Sequence, residues 1–221
     1  MVKTFVLGAN GGVGHYLVQL LKDNHQDFTA GVRKDSQKEA LEAKGIQATL
    51  IDVEYDSIET IQKKLAGYDQ VVFSVGSGGG TGADKTLAVD LDGAVKVIRA
   101  SEGANISHFI MVSTWDSRRE AIDAGGDLKP YTIAKHYADD YLRHSKLLAT
   151  IVHPGGLTNA QGSGSVSIAS LFEKPDKREI SRENVARVLF EIITQSKHQG
   201  KEFQVLDGDQ PVGEALDNIH A

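Results

Sequence analysis

Residues 3–23 read "KTFVLGANGGVGHYLVQLLKD": an apolar run of strand type, a glycine-rich loop, then apolar positions at helical spacing. Gly8, Gly11 and Gly14 fall in a G-x-x-G-x-x-G pattern where strand passes to helix. Glycines there permit a tight turn, let backbone N–H groups approach an anion, and let the helix pack closely on its strand, while the helix N-terminus favours negative charge. At the head of a βαβ unit the pattern predicts a dinucleotide-binding loop built from Gly8, Asn10, Gly11, Gly12, Val13 and Gly14, in preference to an unliganded turn.

Outward from that loop the same alternation continues. Six more β-rich runs follow, "FTAGV", "QATLI", "QVVFSV", "HFIMVS", "ATIVH" and "EFQVL". Most are separated by stretches with three- and four-residue apolar spacing, such as Val13, Leu17, Leu20 and Leu21, or Leu87, Leu91, Val95 and Ile98. Strands alternating with helices predict an α/β fold: a Rossmann-type, doubly wound parallel sheet of six or seven strands, in a single domain over residues 1–221 with a short C-terminal substrate part. Right-handed crossovers bring the strand C-termini to one edge, where three stretches read as irregular, 76–85, 115–129 and 155–167, should meet. No repeat, low-complexity tract or linker divides the chain.

A formal net charge of −6 and the lack of any Lys/Arg run argue against a nucleic-acid partner. With no cysteine there is no disulfide framework, thiolate nucleophile or zinc–thiolate site, and the histidines lack metal-ligand spacing, so no metal is expected. The chain enters a strand-like run at once and holds no apolar stretch of bilayer length, so a cytoplasmic protein without a membrane partner is expected. A small-molecule substrate is the expected partner. The helix faces do not choose between monomer and oligomer.

The second run ends in "GVRKD", about where a site preferring NAD places an acidic residue on the adenosine ribose. Arg33 and Lys34 stand there instead, and a guanidinium fork matches a 2′-phosphate, so NADP is preferred, with NAD possible. Further on, "YTIAK" sets Tyr131 four residues before Lys135, one helical turn apart. Reducing a carbonyl with a nicotinamide needs a proton delivered to the developing alkoxide. A phenol, which titrates at about 10, becomes useful at neutral pH when a neighbouring ammonium favours its anion.

With these elements in place the chain resembles the short-chain dehydrogenase/reductase superfamily, in its atypical, NmrA-like or NAD(P)H-binding branch. The resemblance runs over nearly the whole chain: the 8–14 loop, "IDVEYDS", "FSVGSGG", "AVDLDGAVKVIRASEGANISHFIMVST", YxxxK, "TIVHPGGLTN" and "REISRENVARVLFEII" before "GKEFQVLDGD". It implies that Asp52 and Val53 lie beside the adenine, that Ser74, Val75, Gly76 and Ser77 run along the cofactor's sugars, and that Pro154, Gly155 and Leu157 line the nicotinamide. It also implies that Tyr131 is the general acid/base, that Lys135 holds the ribose, and that Ser113 or Thr114, Thr114 fitting slightly better, supplies the catalytic hydroxyl.

Two positions depart from the pattern. Asp90 stands where many relatives carry Asn, and a carboxylate cannot donate as an amide does. His153 replaces the arginine of the usual Arg-Pro-Gly turn. Trp115, next to the hydroxyl position, reads equally as a substrate contact or a packed side chain. The leading expectation is an NADP(H)-dependent oxidoreductase acting on a small carbonyl or alcohol. The alternatives are an NADP(H)-binding redox sensor, an epimerase-like enzyme, and a flavin or quinone reductase.

Overall fold

The computed structural model describes residues 2–219. Strand β1 (Lys3–Leu7) is central, paired in parallel with β2 (Asp27–Val32) on one side and β4 (Gln70–Phe73) on the other. With β3 (Ala48–Leu50), β5 (His108–Val112), β6 (Ala149–Pro154) and β10 (Glu202–Asp207) it forms a parallel array in the order β3-β2-β1-β4-β5-β6-β10. All seven β-rich runs of the sequence are these strands. Chain order reverses between β1 and β4, which opens a crevice at their carboxyl ends.

Beyond β10 the sheet departs from the all-parallel expectation. β8 (Ser165–Ala169) pairs antiparallel with β10, and β11 (Gln210–Pro211) antiparallel with β8, making nine strands. β7 (Gly156–Thr158) and β9 (Glu179–Ser181) form a separate parallel pair. Part of the C-terminal segment thus extends the sheet, and the stretch 155–167 read as irregular contains β7 and the start of β8.

Side chains alternate across each strand, so the two faces of β1 feed different cores. Val6, with Val72, Val152 and Phe203, packs under α1 (Gly14–Asp23), α2 (Asp35–Glu42), α8 (Arg182–Thr194) and α9 (Val212–Asp217). Phe5 and Leu7, with Phe73, Phe109 and Met111, pack under α3 (Ile58–Leu65), α5 (Ala94–Gly103) and α7 (Lys129–Arg143). Short helices α4 (Ala83–Lys85) and α6 (Arg119–Ala124) fall in the loops after β4 and β5.

Between α4 and α5 the chain winds as a π-helix over Thr86–Gly93. This revises the apolar stripe expected from Leu87, Leu91, Val95 and Ile98: Leu87 is 50% exposed, while Val89 and Asp90 are buried. Bonding from i to i+5 widens the turn and carries side chains off the 3.6-residue period. Among the described residues no helix is long and apolar enough to cross a membrane.

Candidate active site

The glycine loop is held by backbone contact. Gly8 has φ +81°, and a Cβ there would overlap the Ser74 carbonyl oxygen at the end of β4; a Cβ on Gly14 would overlap the Gly8 carbonyl oxygen. Only glycine fits either place. Gly11 N–H donates to Gly8 O at 2.8 Å, whereas the N–H groups of Gly12 and Val13 have no backbone acceptor among the described residues. They are the unsatisfied donors of a helix start, on residues that line the crevice, as an anion site requires.

A cleft of about 880 Å³ runs from this loop across the strand ends. Arg33, Gln37, Asp52 and Val53 line it on the β2–β3 side, Ser74, Val75, Gly76, Ser77 and Asp90 next to β4, and Ser113, Tyr131, Lys135 and Leu157 on the β5–β6 side. Loop residues Gly8, Asn10, Gly11, Gly12 and Val13 form part of the same wall. Gly14, Lys34, Thr114, Pro154 and Gly155 are not in that lining among the described residues. Gly14 packs against the Gly8 and Ala9 backbone of the loop. The Lys34 and Arg33 N–H groups each donate to Gln37 Oε1 at 3.2 Å, and the Lys34 side chain is exposed. Pro154 is buried at the end of β6, and a Cβ on Gly155 would stand 2.8 Å from Arg178 O, so both pack inward.

At the β5 side, α7 begins with Pro130 in its first turn, and its buried stripe is Ala134, Lys135, Ala138, Asp139 and Leu142. Tyr131 is half-buried on the same side, and Tyr137 and Tyr141 are exposed. Lys135, 3% exposed, donates to Val112 O at 3.2 Å, and its Nζ lies 6.0 Å from the centre of the Tyr131 ring. One turn further on, the fully buried Asp139 accepts a hydrogen bond from the Ser113 hydroxyl. With its proton so committed, Ser113 presents only lone pairs to the cleft. Asp139 was missed in the sequence, although it continues the four-residue spacing of Tyr131 and Lys135.

Asp90 is 1% exposed; one carboxylate oxygen accepts from Ser77 N–H at 3.0 Å, and the other is buried without a partner. The carboxylate therefore anchors the loop after β4, and its open oxygen fits a hydroxyl donor such as a ribose provides.

His153 faces away from the cleft. Its Nδ1 lies 2.8 Å from Thr114 O and its Nε2 2.9 Å from Glu202 Oε1, two acceptors that together require both ring nitrogens to carry protons. Burial disfavours that charge, but the Glu202 carboxylate and the nearby Asp139 outweigh it, and the pKa is raised. Burial likewise pushes the Glu202 carboxyl up, yet Arg143, bonded to both its oxygens, and His153 bring it to about 2. Trp115 joins them in a second cavity of about 300 Å³ and stacks on Phe172 at 5.9 Å. Among the described residues no cluster of His, Cys, Asp and Glu is arranged to hold a metal ion.

The NAD(P)H-binding family matches residues 8–196 of the chain. An uncharacterized sugar epimerase of Bacillus subtilis is 43% identical over 99% of this chain and 100% of its own length. Among solved structures, a putative NAD-dependent epimerase/dehydratase from Bacillus halodurans superposes with a TM-score of 0.90 at 37% identity, covering 99% of this chain and 100% of that one. An oxidoreductase from Lactococcus lactis follows with a TM-score of 0.85 at 31% identity, covering 99% and 96%.

Proposed function

The chain belongs to the NAD(P)H-binding family, and from that premise we propose that it is an atypical short-chain dehydrogenase/reductase that uses NADP(H) to reduce a small carbonyl compound or oxidise the matching alcohol. The observation that carries this reading is that one cleft is lined by the glycine loop, by Arg33, and by the Tyr131–Lys135 pair. The cradle fits a dinucleotide: the Gly12 and Val13 N–H groups suit a pyrophosphate, the open Asp90 oxygen suits a ribose hydroxyl, and Arg33 suits a 2′-phosphate. When bound, the nicotinamide supplies or accepts the hydride.

The chain's own groups handle the proton. The Tyr131 hydroxyl delivers it to the substrate oxygen in reduction and takes it back in oxidation. Lys135 is fixed by Val112 O, with its Nζ 6.0 Å from the centre of the Tyr131 ring, on the same side of the cleft as the phenol. Ser113, which donates to Asp139, accepts from a substrate alcohol more readily than it donates to a carbonyl. That arrangement leaves Tyr131 as the proton source. The chain after β6 forms short strands and the helices α8 and α9, which pack on the sheet, and this favours a small substrate over a nucleotide sugar.

NADPH oxidation across a panel of aldehydes, ketones, quinones and flavins tests the reading. Tyr131→Phe is expected to lower kcat on the accepted substrate by about 10²- to 10⁴-fold while leaving the Kd for NADPH unchanged. An unchanged rate removes Tyr131 from the chemistry. The engaged Ser113 hydroxyl also favours a second reading, an NADP(H)-binding regulatory protein; tight NADPH binding with no turnover of any panel member would select it.

A further inference from the structure

We infer that Arg182, the first residue of α8, closes the pyrophosphate site from above, as a cationic clamp on the anion that the glycine loop cradles from below. The inference rests on the proposed nucleotide in the cleft. Arg182 lines that cleft, and its side chain lies flat against Gly12: Nε is 2.6 Å and Cδ 2.8 Å from where a Gly12 Cβ would stand. The absence of a side chain at position 12 is what lets the guanidinium come this close to the loop. Nη1 donates to Leu157 O at 3.1 Å and to Asn159 Oδ1 at 2.8 Å, which fixes the plane of the group.

Charge then points to an anion. Arg118, Arg143 and Arg187 are each paired with a carboxylate, whereas Arg182 has none among the described residues. The adjacent Glu183 is turned elsewhere, to Gly162 N–H and Arg187. A cation in the first turn of a helix also sits at the unfavourable end of its dipole. Arg182 is therefore a half-buried guanidinium whose Nε and Nη2 have no acceptor among the described residues, beside a loop whose own free groups, the N–H of Gly12 and Val13, are donors too. Donors and positive charge converge with nothing to receive them, and a pyrophosphate diester, with several non-bridging oxygens and two negative charges, is the part of a dinucleotide that satisfies them. Because the same guanidinium holds Leu157 and Asn159, the clamp also ties the segment after β6 to the cofactor loop.

Calorimetric titration of NADPH and NADH into wild type, Arg182→Ala and Arg182→Gln, at two salt concentrations, decides it without any turnover. The clamp requires both substitutions to weaken NADPH and NADH alike, by about 10- to 100-fold, and to flatten the salt dependence of binding. Gln keeps a neutral donor for Leu157 and Asn159, so it reports the charge even if the Ala variant is unstable. Wild-type affinity in Arg182→Gln, or a loss confined to NADPH, overturns the clamp while the nucleotide reading stands. A wild-type protein that binds neither cofactor overturns both.

Discussion

Arg33 leaves β2 with its side chain exposed at the β2–β3 side of the cleft, where no carboxylate pairs with it among the described residues. Glu54, an acid near enough to feel Arg33, is taken by Lys85 at 2.6 Å; that bond above all, with a smaller contribution from Arg33, holds the Glu54 carboxyl below its ordinary range. Arg33 is thus free for a 2′-phosphate. Arg33→Ala should raise the Kd for NADPH by about 10- to 100-fold and leave that for NADH unchanged, which titration of both cofactors checks; equal wild-type affinities would end the preference for NADP. Gly8 and Gly14 could be read from sequence because their steric demand is local to one turn. Arg182 and Asp139 could not be weighed in the same way, since what matters for each is a partner far along the chain: Gly12 for the first, Ser113 for the second.

At the scale of elements, the first turn of α8 organises the loop that leads into β8. Ser181 caps the helix by accepting from Asn184 N–H at 3.0 Å. The Asn184 side chain, 1% exposed, donates to Asp207 Oδ1 at 2.6 Å and to Ser165 O at 3.2 Å, and accepts from Gly164 N–H at 2.9 Å. Asn184→Ala removes three hydrogen bonds made from a buried position to half-buried and exposed partners, and urea denaturation should show a loss of about 2–3 kcal/mol, against about 1 kcal/mol for Ser181→Ala. If Asn184→Ala costs no more than the cap, the network is not what holds the loop. The helix itself was legible in "VARVLFEII". β8 was hidden because its alternating "SVSIA" lies among glycines and serines, and only Val166 in it is buried. The π-helix was hidden for another reason: periodicity assumes 3.6 residues per turn, and the turn that brings Asp90 to the cleft breaks that assumption.

For the whole molecule, buried histidines of opposite character set the pH range of stability. His108 sits in β5 with no exposure, its Nε2 2.8 Å from the Thr150 hydroxyl, and burial lowers its pKa to about 4. Between about pH 6.5 and 4 the unfolded chain takes up a proton there that the folded chain refuses, so stability falls as pH falls, by up to about 3 kcal/mol. Burial acts on His198 in the same direction. Below that range Glu202, held at about 2, adds to the loss as its carboxylate is protonated. His153 works the other way: its raised pKa gives stability that is complete below about 6.5 and is lost as pH climbs through the folded value. Stability should therefore peak near neutrality. Unfolding free energies at pH 7 and pH 5 should differ by about 2 kcal/mol more in wild type than in His108→Gln, which keeps a polar partner for Thr150 but cannot titrate. If both proteins lose the same stability between those two pH values, the acid sensitivity lies elsewhere than in the centre of the sheet.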